Sequence, residues 1–201
     1  MKIFYLLGPS ASGKDTIYNE LLKTTKCLKP IIPWTTRPIR EGEVDGITYN
    51  FTTNEEFFKM RDNNQIIEYR SYDTAKGEWI YFTPIIEPDD DIHNIYLTIG
   101  TLESYTKMRM YYGGDIIPIY IQVDDGVRLE RSITREKKEK YPKYDEVCRR
   151  FLADAKDFSK DNLKKCGITK LNTFNNEDEI DKCVDAIKRF IFFNLKEWNL
   201  L

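Results

Sequence analysis

Gly8-Pro9-Ser10-Ala11-Ser12-Gly13-Lys14-Asp15-Thr16 follows directly on the apolar run Ile3-Phe4-Tyr5-Leu6-Leu7. The spacing is that of a phosphate-cradling loop, G-x-x-x-x-G-K-[ST], with Asp15 standing where a hydroxyl residue is the rule. The apolar run predicts a buried strand and the residues from Thr16 onward a helix, which is the setting such a loop requires. Gly8 and Gly13 let the backbone curl until its N–H groups face a polyphosphate at the helix N-terminus. Lys14 adds a point positive charge beside the β- and γ-phosphates. Residues Gly8, Pro9, Ser10, Ala11, Ser12, Gly13, Lys14, Asp15 and Thr16 are therefore candidates to bind a nucleoside triphosphate. Asp15 and Thr16 are the candidate oxygen ligands for its Mg2+, a hard cation.

The chain of 201 residues is expected to fold as one domain with sub-lobes. Its 31 Lys and Arg nearly cancel its 33 Asp and Glu, which leaves no whole-molecule field to steer it to nucleic acid. Cys27, Cys148, Cys166 and Cys183 show no C-x-x-C spacing and His93 is the only histidine. That inventory argues against a zinc site or a Cys/His nucleophile pair and for free thiols in a reducing cytosol. No apolar run reaches the length of a membrane span, and Met1-Lys2 runs straight into the first strand. The expectation is no membrane partner, no secretory leader and a cytoplasmic location.

Strand and helix signals alternate along most of the chain, which predicts an α/β fold with a central parallel sheet flanked by helices. The expected core strands are Ile3–Leu7, Lys29–Ile32, Ile92–Ile99, Ile119–Val123 and Ile168–Leu171. The fourth is started after Pro118, because proline cannot donate to a ladder. Asn176 with Glu179 predicts a helix N-cap ahead of the stripe Ile180, Val184, Ile187 and Ile191. Val147, Phe151, Ala155 and Phe158 predict an amphipathic helix over 144–163. Residues 34–84 interrupt the alternation with β-like runs (Thr48–Phe51, Ile66–Ser71, Trp79–Thr83) and a helix near Glu55–Arg61, the pattern of an inserted α+β lobe. Residues 128–150 mix Arg128, Arg131, Arg135, Lys137, Lys138 and Lys140 with Glu130, Glu136 and Glu139. Such a run reads equally as a solvated face laced by ion pairs and as a lid whose arginines close on phosphates.

A second motif, Thr35-Thr36-Arg37-Pro38-Ile39-Arg40-Glu41-Gly42-Glu43-Val44-Asp45-Gly46-Ile47-Thr48-Tyr49-Asn50-Phe51, lies in the insert. Two guanidinium forks on a Pro/Gly-containing loop suit a phosphate monoester, since each offers bidentate hydrogen bonds. Arginines paired to Glu41 and Glu43 would read the same way. Taken with the phosphate loop, the segment resembles the guanylate kinase family, whose T-T-R-x-x-R-x-G-E-x-x-G-x-x-Y-x-F pattern is matched at every fixed position. The resemblance runs across nearly the whole chain. It implies Mg2+-dependent phosphorylation of GMP to GDP with ATP as donor, on a P-loop core (1–33, 85–127 and 151–201) with a GMP-binding lobe (34–84) and a helical lid (128–150). It further implies that Arg37, Arg40, Tyr49 and Tyr81 hold the GMP phosphate, with Thr35 and Glu43 in the same segment. Glu68 would read the guanine N1–H and N2–H2 donors, and Thr83 would touch the base. Arg131, Arg135 and Arg150 would be the catalytic lid arginines beside Lys14, and Asn172 would lie near the ATP adenine. The expected partners are thus GMP and ATP, for a monomer or a homodimer.

Four places depart from the family pattern. Asp15 is one. Pro33 stands where a serine near the guanine is usual. Tyr96-Leu97-Thr98-Ile99-Gly100 replaces an Asp-x-Asp pair that sits near the metal and base. Asp73 to Trp79 lengthens a hairpin before Tyr81, and Phe82 replaces a glycine. Asp15 is expected to supply the negative charge near the metal that Thr98 no longer gives. Two alternatives share some of these features: a related small-molecule kinase such as a ribose bisphosphate kinase, and a non-catalytic guanylate-kinase-like binding module. The former lacks the complete Thr35–Phe51 segment; the latter typically loses the loop lysine or the monophosphate contacts.

Overall fold

Every side chain from Ile3 to Leu7 is shielded from solvent, so this strand shows no polar alternation: both of its faces are covered. The computed structural model describes residues 1–74, 77–86, 94–177 and 179–198. In it β1 (Lys2–Leu7) leads through the glycine loop into α1 (Lys14–Thr24), followed by β2 (Lys29–Pro30), β3 (Trp34–Thr35), β4 (Asn50–Phe51) and α2 (Asn54–Asp62). The hairpin β5 (Ile66–Thr74) and β6 (Gly77–Pro84) precedes β7 (Ile95–Gly100), α3 (Leu102–Tyr112) and β8 (Ile116–Gln122). Then come α4 (Asp125–Glu136), α5 (Tyr144–Asp157), α6 (Lys160–Lys165), β9 (Thr173–Asn175) and α7 (Ile180–Glu197).

The core is a parallel five-stranded sheet in the order β2-β7-β1-β8-β9. Phe4 and Leu6 of β1 point to one face, where they pack with Ile17 and Leu21 of α1 and Ile187, Ile191 and Leu195 of α7. Ile3, Tyr5 and Leu7 point to the other, against Tyr105 and Met108 of α3. Burying a side chain such as Leu21 contributes roughly 1.5–3 kcal/mol. Because β1 is central and its neighbours β7 and β8 lie on opposite sides, the glycine loop emerges where an open α/β sheet forms its crevice.

The second sheet lies wholly within residues 34–84, in the order β4-β3-β6-β5. One of its faces packs Ile80 and Phe82 on Phe57 of α2, with Trp34, Met60 and Ile66 around them. Thr53 caps α2, its hydroxyl accepting from Glu56 N–H (3.2 Å). Register sets the opposite face: Thr35 and Arg70 both pair with Tyr81, and Glu68 pairs with Thr83. Those residues therefore line one surface, and a register shift between Ile66 and Glu68 sits beside them.

Several sequence expectations shift. Pro118 lies inside β8, opposite Tyr5. β9 joins β8 only from Tyr120 onward, so one side of β8 is an edge at the proline, where proline is tolerated. Ile168–Leu171 is not a strand. Thr169 and Asn172 form a capping box on a 3-10 turn at Lys170–Asn172, and the last strand begins only at Thr173. The third core strand is described from Ile95; Ile92 and His93 lie outside the described residues, as do Ala75 and Lys76 of the hairpin. The expected helix over 144–163 breaks after Asp157, and Ala155 is exposed while Asp154 turns inward. Glu179, not Asn176, is the α7 N-cap position, without a side-chain cap. Among the described residues no helix is long and apolar enough to cross a membrane.

Candidate active site

The loop from Gly8 to Gly13 ends on Gly13, which takes φ 81° and is the N-cap of α1 without a side-chain cap bond. A Cβ at Gly13 would collide with the Asn176 amide, so both the dihedral and the close approach require glycine. Ala11 also adopts a left-handed backbone (φ 61°), which the sequence pattern did not signal. With no side chain capping α1, its first N–H groups are left for an anion. Lys14 is half-buried, and among the described residues no hydrogen bond or ion pair engages it. Asp15 and Thr16 are exposed beside it. Asp15 acts electrostatically on the Tyr49 phenol, whose pKa is raised chiefly by burial. The start of α1 and the Tyr49 segment thus lie within electrostatic reach of each other.

Beside the Thr35–Tyr81 pair of the second sheet, Arg37 is only 3% exposed. Its fork is held by Glu43 (Nη1–Oε2 2.9 Å, Nη2–Oε1 2.7 Å), and its Nε donates to the Tyr81 hydroxyl (3.1 Å). Glu43 also accepts from Arg40 N–H (2.8 Å). The hydrogen bonds from Arg37 hold the Glu43 carboxyl below its ordinary value. Thr35 is a positioning residue here: its hydroxyl donates to Ile80 O (2.9 Å) and accepts from Arg37 N–H (3.1 Å). Tyr49 packs edge-on against Tyr81, with ring centroids 5.7 Å apart. The Arg40 guanidinium lies 5.7 Å from the Trp79 ring and makes no hydrogen bond among the described residues. Glu68, 2% exposed, accepts from the Thr83 hydroxyl (2.9 Å). Beside this pair a cleft of about 530 Å³ runs between β5 and α3.

The charged run is neither a free lid nor a solvated face throughout. Arg128 is buried: it pairs with Asp125 (2.6 Å), reaches Asp154 (3.7 Å), and donates to Ser10 O (3.4 Å). Asp154 in turn accepts from Ser10 N–H (2.8 Å), so α4 and α5 grip the phosphate loop. Arg131 donates to Asn176 O (3.0 Å) and Glu177 O (2.6 Å). Arg135 and Arg150 come together with Lys143 around a cavity of about 140 Å³ that also touches Ser10. Arg131 does not line that cavity. Asn172 departs from its expected place. It lies before the last strand, and its side chain is spent on Thr169 N–H (2.7 Å) and Gly167 O (3.3 Å). The residue at the end of β9 that reaches the loop is Asn176, whose amide donates to Ser12 O (2.8 Å).

Sequence reasoning passed over Arg70 and Asp154, and it read Arg128 only as one charge of the run and Asn176 only as a helix cap. For Asp154 a signal existed: it falls at helical spacing with Val147 and Phe151 on the inner stripe of α5, where a carboxylate needs a partner. Arg150 and Arg149 both bind Glu146 (2.7 and 2.6 Å). The hydrogen bond from Arg149, then that from Arg150, lowers the Glu146 carboxyl from 4.5 to about 2. A lowered folded-state pKa adds stability above pH 4.5 that is lost as pH falls toward 2. Glu146→Gln is accordingly expected to lower the urea midpoint modestly at neutral pH and to flatten its pH dependence across that window; an unaltered acid limb contradicts the pairing.

The family model described as guanylate kinase matches residues 1–80. A guanylate kinase of Oceanobacillus iheyensis is 41% identical over 130 residues, 65% of this chain and 52% of that one. One from Helicobacter hepaticus is 36% identical over 137 residues, 67% of this chain and 66% of the relative. The chain spans from about a third to two thirds of the length of the curated relatives it matches. The crystal structure of guanylate kinase from Anaplasma phagocytophilum aligns with a TM-score of 0.66 at 20% identity, covering 96% of this chain and 85% of that chain. At that identity the likeness is one of fold.

Proposed function

We propose that the chain is a member of the guanylate kinase family, whose model and relatives it matches, and that it transfers the γ-phosphoryl group of ATP to GMP, giving ADP and GDP. The observation that carries this reading is a pair of prepared sites: an unengaged lysine on an uncapped helix start, and a sheet face bearing Tyr81, Glu68 and Thr83 with Arg37 held on Tyr81. An oxygen of the GMP phosphate attacks the γ-phosphorus in line, and the bond to the β–γ bridging oxygen breaks. Little covalent work falls to the protein, which aligns the two phosphates and neutralises spreading charge.

Lys14 and the first N–H groups of α1 hold the donor phosphates. Arg37, Arg40, Tyr49 and Tyr81 hold the acceptor phosphate, with Glu43 surrendering the Arg37 fork as that phosphate arrives. Glu68 and Thr83 take the base. Arg135 and Arg150 close over the transferring group, while Arg131 ties α4 to the 176–177 loop. When bound with ATP, Mg2+ neutralises phosphate charge. Asp15 and Thr16, exposed at the start of α1, would be the oxygen donors to hold it. Among the described residues no group of three or more His, Cys, Asp or Glu side chains is placed to hold a metal ion. We place the reaction in the cytoplasm. An unengaged Lys14 and the intact Thr35–Phe51 segment speak against a binding module.

Incubation with ATP and GMP is expected to yield equimolar ADP and GDP, separated chromatographically, with AMP turned over at least about 100-fold more slowly. ADP release that does not depend on GMP overturns the reading.

A further inference from the structure

The base end of the cleft holds a charge pair of which the reaction as described uses only the carboxylate, Glu68, and leaves Arg70 without a role. Glu68 Oε2 lies 3.3 Å from Arg70 Nε, yet both atoms are buried and neither makes a hydrogen bond. Arg70 Nη1 donates to Thr101 Oγ1 across the cleft (3.0 Å), which pins the guanidinium between the small sheet and the core. An acceptor and a donor thus stand side by side with unmet capacity, next to the Thr83 hydroxyl that holds the other carboxylate oxygen.

The end of β7 adds no second carboxylate. Thr98 turns its hydroxyl to Ile31 O (3.3 Å). Gly100 cannot carry a side chain, because the Tyr5 hydroxyl fills the space that a Cβ would enter. Burial pushes the Tyr5 phenol far above its ordinary value, so it remains a neutral donor, directed at Thr101 O (3.4 Å). Glu103 and Lys107 of α3 also line the cleft but pair with each other (2.8 Å), which leaves Glu68 and Arg70 as the buried anion and cation with unmet capacity.

From this we infer that Arg70 is a specificity-determining residue that reads the purine C6 oxygen while Glu68 accepts from N1–H, so that the acceptor is any 6-oxopurine nucleoside monophosphate, hypoxanthine as well as guanine. The inference rests on the phosphoryl transfer proposed above. Guanine and hypoxanthine share the N1–H donor and the O6 acceptor, which match the carboxylate and guanidinium. The guanine 2-amino group meets no carboxylate at the end of β7, and Glu103 is engaged by Lys107, so that group has little leverage. Adenine presents the reverse order, an acceptor at N1 and a donor at C6, and meets like against like at both positions.

The test measures kcat/KM with GMP, IMP, AMP and 6-thio-GMP, whose sulfur is a weaker acceptor than O6. IMP is expected within about tenfold of GMP, the worth of one ordinary hydrogen bond. GMP should exceed 6-thio-GMP severalfold, and in Arg70→Met that preference should vanish, with partial recovery in Arg70→Lys. An arginine that is merely structural would lower both substrates equally and leave their ratio intact. GMP turnover with IMP below a hundredth of it, or AMP rivalling IMP, overturns the inference. If no acceptor is turned over, the phosphoryl-transfer reading fails by itself. Calorimetric binding of IMP and GMP to the unaltered protein then decides the pocket: similar affinities uphold the pair, and GMP bound without IMP refutes it.

Discussion

Lys14→Ala is expected to reduce kcat with ATP and GMP by about 10²–10³-fold, the loss typical when a charged donor aimed at the transition state is removed, about 2.7–4 kcal/mol. Lys14 opens α1 and is half-buried, and among the described residues no group engages it in the ligand-free protein. Its removal therefore breaks no bond of the fold, and the thermal midpoint without nucleotide should not move. The midpoint with saturating ATP should fall, because the lysine contributes to the bound state alone. Lys14→Met should match the alanine variant, which separates loss of charge from loss of bulk. A reduction in kcat below tenfold would mean that the uncapped N–H groups of α1 carry the donor phosphates without it.

The sequence revealed the loop and the central strand because each is a local matter. A glycine spacing and an unbroken apolar run are complete within fourteen residues, and the register of β1 between β7 and β8 follows from burial on both faces. The Thr35–Phe51 segment was legible for the same reason, since Arg37, Glu43 and Arg40 close a network within one loop. What the sequence hid is non-local. Arg128 reads as one charge in a run, yet it is buried by contacts with Ser10 and Asp154, residues far from it in the chain. Arg70 looks like an exposed strand residue until the register places it beside Glu68 and the fold brings Thr101 to it. Asn172 and Asn176 are chemically alike, and only the position of β9 tells which one touches the loop. Tyr5 is an ordinary member of a buried run until its hydroxyl is found occupying the side-chain space of Gly100. In each case the partner lies on another element, and periodicity carries no information about it.

Arg37→Ala is expected to lower kcat/KM for GMP by roughly 10²–10³-fold through two lost charge-assisted hydrogen bonds, each worth about 1.5–3 kcal/mol. The KM for ATP should change little, because the donor phosphates rest on the α1 loop and Arg37 belongs to the other sheet surface. In the ligand-free protein the fork is occupied by Glu43, so GMP binding exchanges one anion for another at a guanidinium already desolvated and oriented. Tyr81 fixes Nε, and the Tyr49 and Phe51 rings lie 5.5 Å from Cζ, which leaves the fork little freedom to turn elsewhere. That preorganisation is why a large loss is expected from a single side chain. Arg37→Lys should recover only part of it, since a single ammonium cannot reproduce the planar bidentate geometry and would leave the Tyr81 hydroxyl without its donor. The substitution also strands Glu43 opposite an alanine, so the thermal midpoint should be measured alongside. A fall in GMP use at an unchanged midpoint isolates the phosphate contact. Equal losses toward ATP and GMP would contradict the assignment of Arg37 to the acceptor side and would make it a residue on which the whole cleft depends.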